Sequence, residues 1–183
     1  DDAPSQRVRH GGFVCGADRF DGAYFGVSPA EADAMDPQQR LLLELGYGAL
    51  HDASTDRAAL SGSLVGVFVG IAANDYAEVL KASPAGASVY AATGSAHSIA
   101  AGRLSYALGL HGPCAAYDTS CSAALVACHA AQRAVQLAEC AVGLLGAVNL
   151  MLLPGVGWSF AVAGMTSSLG RCHTFDHRAD GYA

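Results

Sequence analysis

The residue with the clearest chemical potential is Cys121, in the stretch His111-Gly-Pro-Cys-Ala-Ala-Tyr-Asp-Thr-Ser-Cys-Ser-Ala-Ala-Leu-Val-Ala-Cys-His129. The stretch reads as a short strand from Cys114 to Tyr117, a tight Asp118-Thr119-Ser120 turn, and a helix opening at Cys121. Counting in threes and fours along that helix, His129, Gln132, Arg133 and Gln136 make a polar stripe. Cys121, Ala124, Cys128, Ala131 and Val135 make a small apolar one, so the pattern predicts a first-turn cysteine facing the protein interior. The first N–H groups of a helix lack intrahelical partners and the dipole there favours negative charge. A thiol so placed ionises more readily, and the thiolate is the nucleophilic form. The same N–H groups can hold the oxyanion formed when sulfur attacks a thioester or other acyl carbonyl. Small Ser122, Ala123 and Ala124 leave room for a substrate chain. On spacing alone an ordinary buried cysteine is the reading slightly favoured, because free Cys packs well in cores and no partner base is visible.

The elements that would position this cysteine follow from local signals. Asp36-Pro37 marks a helix start, with Asp as N-cap and Pro in the first turn; Gln38 to about Ala53 is then helical, with Leu41, Leu42, Leu45 and Ala49 as its apolar face. Gly46 and Gly48 each weaken that helix by about 1 kcal/mol relative to Ala. Leu64 to Ile71 is a continuous apolar run, as expected of a strand covered on both faces. Asn74 caps a short helix through about Leu80, Ser83 to Ala87 is loop, and Ser95 to Leu108 is helical with Ala100, Leu104, Ala107 and Leu108 on one face. His97 and Arg103 on this helix suit hydrogen bonding at a surface or interface better than substrate contact. Beyond Leu137, a buried strand from Ala141 to Leu150 and a short helix around Val156 to Ala163 are expected. Phe13 to Phe25 reads as loop, and the first ten residues as polar and extended or frayed. Alternating strands and helices argue for an α/β layered fold with a mixed sheet.

Bulk properties exclude several functions. Hydrophobic residues are 52% and charged ones 14%, well under the ~25% of ordinary soluble domains, which implies large surfaces covered by something else. Net charge is −6, and no basic cluster or aromatic–basic interleaving occurs, so a nucleic-acid partner is not expected. Six cysteines without a Cys-x-x-Cys pair fit neither a dense disulfide framework nor a metal site, and reduced thiols in a cytoplasmic or organelle-stroma setting, not a secreted one, fit better. The stretch between Glu139 and Arg171 carries no charge. Its glycines at 143, 146, 155 and 157, together with Asn149 and Pro154, count against a membrane span. Cys172, His173, Asp176, His177 and Asp180 gather in a polar loop, but their spacing matches no standard ligand pattern. No Gly-x-Ser-x-Gly elbow is present, and Gly155-Val-Gly157 lacks the third glycine of a dinucleotide site. The chain starts at Asp1 and stops at Ala183; both ends look cut, and the sequence is expected to be a fragment.

Asp118-Thr-Ser-Cys-Ser-Ala-Ala-Leu-Val-Ala-Cys-His129 resembles the active-site segment of the β-ketoacyl synthases, specifically the ketosynthase domains of modular polyketide synthases. Similar matches are Tyr24-Phe-Gly-Val-Ser-Pro-Ala-Glu-Ala-Asp-Ala-Met-Asp-Pro-Gln-Gln-Arg-Leu-Leu-Leu-Glu44, Gly66-Val-Phe-Val-Gly70, Ser98-Ile-Ala-Ala-Gly-Arg-Leu-Ser-Tyr106 and Phe175-Asp-His-Arg-Ala-Asp-Gly-Tyr182. They run in the family's order over nearly the whole chain. Where the family usually has Trp and Glu, this chain has Tyr47 and Gly48, a departure that concerns packing more than chemistry.

The resemblance implies the thiolase-like fold (layered α-β-α-β-α), of which residues 1–183 would be most of the N-terminal half, without the first core strand. It implies that Cys121 takes an acyl chain from acyl carrier protein, with its backbone N–H as an oxyanion donor. Decarboxylative Claisen condensation with a malonyl-type extender would follow, in polyketide or fatty-acid-like synthesis. It implies no metal or other cofactor of its own, since both substrates ride on the phosphopantetheine of acyl carrier protein. It also implies a homodimer with Cys114 to Tyr117 near the two-fold axis, and association with other polyketide synthase domains or subunits. His129 matches a histidine two turns after the cysteine whose role is packing, and the loop from Arg171 matches a structural loop near the active-site mouth. The family's two catalytic histidines lie in His-Gly-Thr-Gly-Thr and Asn-x-Gly-His motifs, with a lysine nearby. Neither motif occurs in these residues, so this polypeptide alone is expected to be acylated or alkylated at Cys121 without condensing acyl units. A non-catalytic ketosynthase-like partner, or a chain-length-determining subunit, usually lacks the cysteine, which argues against that reading. The Asp-Pro-Gln-Gln-Arg segment and the residues around Cys121 argue against a thiolase or chalcone-type synthase.

Overall fold

A computed structural model describes residues 4–183 and divides into two compact units. The larger, Ala17–Leu150, carries Cys121. Its helices are, after a short α1 (Pro4–Arg7) in the other unit, α2 (Pro29–Ala34), α3 (Pro37–Asp52), α4 (Arg57–Leu60), α5 (Tyr76–Lys81), α6 (Ala91–Gly94), α7 (His97–Leu108) and α8 (Ala123–Gln136). Three strands, β1 (Val65–Ile71), β2 (Cys114–Tyr117) and β3 (Val142–Val148), form a sheet in the order β2-β1-β3.

All three described strands are parallel, not mixed as the alternation suggested. The reason lies in the connections: β1 reaches β2 through α5–α7, and β2 reaches β3 through α8, and such helical crossovers return the chain in the same direction. Every residue of the central strand is buried. Its odd positions Val65, Val67, Val69 and Ile71 join Leu42, Leu43, Leu50, Leu104 and Leu108 of α3 and α7 in the main core. On the opposite face Phe68 packs with Ala127, Ala131 and Ala134 of α8 and with Cys140. The helices thus cover both faces, which is why the strand reads as a continuous apolar run.

Local chemistry sets the helix ends. Asp36 caps α3 by accepting the Gln38 N–H at 2.8 Å, with Pro37 in the first turn. The helix α2 was not evident from periodicity, yet Ser28 accepts the Glu31 N–H (3.2 Å) ahead of Pro29, a start signal of the same kind. The expected apolar face of α3 needs correction: Leu45 is 70% exposed and Ala49 is exposed, while Gln38 and Gln39 are buried beside Leu42, Leu43 and Leu50. Tyr47 does serve packing: its ring lies 5.3 Å from Tyr24 and 6.4 Å from Phe25. The stretch expected as loop after Ser83 is a 3-10 turn, Pro84–Ala87. In place of the expected buried strand from Ala141 to Leu150, the sheet takes Val142–Val148, in which Leu144 alone is buried.

The smaller unit comprises the described residues through Gly16 and Met151–Ala183. It contains α1 and α9 (Pro154–Val162) and a parallel bridge between Thr166 and Tyr182. Of the first ten residues, expected to be extended or frayed, Pro4–Arg7 are helical, and the first three lie outside the described residues. Arg7 donates to the Thr166 carbonyl. No helix among the described residues is long and apolar enough to cross a membrane.

Candidate functional site

Cys121 stands between the end of β2 and the start of α8. The helix begins at Ala123, not at Cys121, and a 3-10 turn of Ser120–Ser122 carries the cysteine. The face that the helix buries also differs from the expected one. The buried stripe is Ala123, Ala127, Ala131 and Ala134, and the expected inward positions Cys121, Ala124, Cys128 and Val135 are exposed. The expectation that Cys121 faces the interior is therefore wrong for this structure: its thiol is accessible. Alanine, cysteine and valine are too alike in hydropathy for periodicity to separate the two registers.

The turn is tightly specified. Asp118 Oδ1 accepts the Ser120 N–H at 3.1 Å, and Ser120 has φ +54°, in the left-handed region that L-residues seldom occupy. Ser120 Oγ lies 3.8 Å from Cys121 Sγ. Ser122 occupies the N-cap position of α8 without capping it; its hydroxyl donates to the Thr119 carbonyl (2.8 Å) and lies 3.0 Å from Thr119 Oγ1. The helix start thus has no capping side chain on its leading N–H groups, the arrangement that can receive a developing negative charge. Gly70 admits the helix to this place. A Cβ there would lie 2.8 Å from the carbonyl carbon of Ala123 and from the nitrogen of Ala124.

Beside the turn, Ile71, His97, Ser98 and Cys114–Asp118 line an open pocket of about 250 Å³. His97 is held by the Ala73 carbonyl, 3.1 Å from its Nε2. Arg103 is an internal tie: its Nε donates to Gln39 Oε1 at 2.8 Å and its Nη1 pairs with Glu31. That placement replaces the surface or interface role expected for it. Gln39 Nε2 donates to the carbonyls of Thr93 and Gly94 (both 3.1 Å). Burial pushes the Asp36 carboxyl above its ordinary range, while hydrogen bonds from the Gln38 backbone and side chain pull the other way. Sequence reasoning missed the roles of the two glutamines after Asp36-Pro37. The signal that could have found them is a pair of long amides in the first turn of a helix whose next residues are core leucines.

The remaining candidates fall elsewhere. His129 is exposed, so it does not pack as expected. In the smaller unit, Asp176 accepts from Arg178 Nε, Nη2 and N–H. Asp180 Oδ2 lies 3.3 Å from the Ser168 N–H. No group of three His, Cys, Asp or Glu able to hold a metal occurs among the described residues, and all six cysteines are free thiols.

Comparison with known proteins bears on this arrangement. Residues 2–183 match the family model "Beta-ketoacyl synthase, N-terminal domain". The chain is 47% identical over 174 residues to the polyketide synthase GfsB of Streptomyces halstedii, covering 95% of this chain and 3% of that protein. It is 45% identical over 175 residues to a subunit of the phenolphthiocerol/phthiocerol polyketide synthase of Mycobacterium tuberculosis, covering 96% of this chain and 11% of that one. The ketosynthase from module 6 of the bacillaene synthase of Bacillus subtilis superposes with a TM-score of 0.83 at 37% identity, over 93% of this chain and 28% of that one. An oxazolomycin ketosynthase domain from Streptomyces albus gives 0.81 at 36% identity, over 94% of this chain and 30% of that one. The chain therefore spans a small part of the length of each relative.

Proposed function

Because this chain belongs to the β-ketoacyl synthase family, as the N-terminal domain of a polyketide synthase ketosynthase with the thiolase-like fold, we propose that Cys121 is the acyl-accepting nucleophile of a condensing acyltransferase. The observation that carries this reading is the placement of the Cys121 thiol. It is accessible, on a turn braced by Asp118 and strained at Ser120, directly ahead of an uncapped 14-residue helix. Exposure alone does not single it out, since Cys15, Cys114, Cys128 and Cys172 are exposed too.

In the first half-reaction the Cys121 thiolate attacks the carbonyl of an acyl thioester carried on the phosphopantetheine of acyl carrier protein. The carbonyl oxygen takes up negative charge beside the start of α8, with the Cys121 N–H as a donor. Collapse of the adduct expels the carrier thiolate and leaves the acyl group on Cys121. In the second, a malonyl-type thioester loses CO2, and its carbanion attacks the Cys121 thioester. A C–C bond forms, the Cys121 thiolate leaves, and a β-ketoacyl thioester remains on the carrier. Sulfur suits both halves because it is a soft nucleophile and a good leaving group. The working unit of this proposal is a homodimer within a larger cytoplasmic or stromal synthase, with β2 near the two-fold axis. In keeping with that, β2 pairs on one side only among the described strands.

Incubation with a short acyl-pantetheine thioester, followed by intact-mass measurement and peptide mapping, tests the reading. One acyl group on Cys121, absent from Cys121→Ala, is the expected result. Acyl transfer to Cys114 or Cys128 in place of Cys121 would overturn it. Given malonyl and acyl carrier proteins, these 183 residues by themselves are expected to load but not to condense, because neither family histidine motif is among them.

A further inference from the structure

The C-terminal rim of the sheet is fastened by a carboxamide that the acyl-transfer chemistry does not use. Gln38, in the first turn of α3, is fully buried. Its Nε2 donates to the Ala73 carbonyl at 3.0 Å and to Asp36 Oδ2 at 3.1 Å, and its Oε1 accepts the Leu150 N–H at 2.9 Å. Ala73 lies just past the end of β1, and Leu150 just past the end of β3. One side chain therefore joins the two segments that leave neighbouring parallel strands. A second tie runs alongside: the Ala73 N–H donates to Asn149 Oδ1 at 3.2 Å.

The joined rim leads to the nucleophile. The Ala73 carbonyl also holds His97, which lines the pocket with Tyr117 and Asp118, and Asp118 braces the Ser120 turn immediately before Cys121. If Gln38 served packing alone, Leu or Met of similar volume would avoid the cost of burying an amide. Instead the amide's donor and acceptor atoms both engage the backbone of the two exits, and the partners fix which end is nitrogen and which oxygen. We propose that Gln38 is a positioning residue for acyl transfer, holding the exits of β1 and β3 together so that the rim bearing His97, Asp118 and the Cys121 turn keeps its geometry. This rests on the reading of Cys121 as acyl acceptor.

Two substitutions separate positioning from packing. Gln38→Leu removes every polar contact. Gln38→Glu keeps an oxygen for Leu150 but, when ionised, sets a carboxylate against the Ala73 carbonyl and Asp36; protonated, it can donate again. Burial and the neighbouring Asp36 carboxylate extend to higher pH the range in which that proton stays on. Loading of Cys121 from an acyl-pantetheine thioester is measured against wild type from pH 6 to 8.5, with hydrogen exchange at Leu150 as a structural readout. Gln38→Leu is expected to load about 10²-fold more slowly at every pH, as misplacement by about an ångström does, and to lose protection at Leu150. Gln38→Glu is expected to keep that protection, and its rate relative to wild type is expected to climb as pH falls. If Gln38→Leu does not fold, the exposed Asn149→Ala tests the second tie, with a loss of about tenfold expected. Variants that load at wild-type rates, or a Gln38→Glu ratio flat with pH, overturn the positioning role alone. A wild-type chain that takes no acyl group on Cys121 overturns both readings.

Discussion

The backbone of Gly70 in β1 touches the first turn of α8 at Ala123: a methyl group on Gly70 would sit 2.8 Å from the Ala123 carbonyl carbon. The even positions Gly66 and Gly70 flank Phe68 on the face that receives α8, so the Gly-Val-Phe-Val-Gly run describes the footprint of that helix. Gly70→Ala must move either the strand or the helix start. The expected cost is about 1–3 kcal/mol of stability, as for overpacking elsewhere, read by thermal or denaturant unfolding. Alkylation of Cys121 by iodoacetamide is expected to change relative to Cys15 and Cys172, which serve as internal references. An unchanged ratio would mean that the helix start does not fix the thiol.

Two glycines of α3, alike in sequence, differ in their surroundings. Nothing lies within 4 Å of a Cβ built on Gly48, whereas one on Gly46 would meet the Leu104 methyls at 3.0 and 3.1 Å. Gly48→Ala should therefore stabilise by about 1 kcal/mol through helix propensity. Gly46→Ala should gain nothing, the same propensity being offset by crowding against α7. Equal shifts in unfolding midpoint for the two would contradict this account.

Arg103 joins Gln39 and Glu31 with its side chain 10% exposed and that of Glu31 25%. Arg103→Ala leaves the Gln39 Oε1 atom and the Glu31 carboxylate without this donor, at an expected cost of about 2–3 kcal/mol. Arg103→Lys should recover only part of it, because an ammonium cannot reproduce the guanidinium fork that reaches both partners. Urea unfolding with an unchanged m-value provides the measurement.

In the smaller unit, hydrogen bonds from Arg178 hold the Asp176 carboxyl down at about 2, from an ordinary 3.8. A depressed acid favours the folded pairing at all pH above its unfolded value, and the contribution disappears as pH falls through the folded value. The local turn should thus be intact at pH 5 and above, and weaken between 3.8 and about 2. An NMR titration of the Asp176 carboxyl should show its midpoint near the lower figure, returning toward 3.8 in Arg178→Ala.

Much of this fold is legible where a short-range signal dominates. The apolar run before Ile71, the Asp36-Pro37 cap and the Cys114 to Tyr117 strand needed only their own residues, and the resemblance of the motifs located the cysteine. What escaped depends on contacts distant in the chain. Ser120 takes a left-handed conformation because Asp118 and the packing of α8 against Gly70 hold the turn, and this delays the helix to Ala123. Gln38 and Gln39 are buried because carbonyls 35 and 54–55 positions away await them, a pairing that no local periodicity encodes. The outward Leu45 illustrates the converse, since leucine at a helical spacing does not reveal which side of the helix the sheet will occupy.

The order β2-β1-β3 has a consequence for how the molecule comes into being. Among the described strands the central one is made first, and its neighbours on both sides emerge from the ribosome later, the last residue of β3 being Val148. At a synthesis rate of about 5–20 residues per second, Val65–Ile71 waits for several seconds with both edges bare. Such a seven-residue, wholly apolar segment is open to edge-to-edge misassembly during that interval.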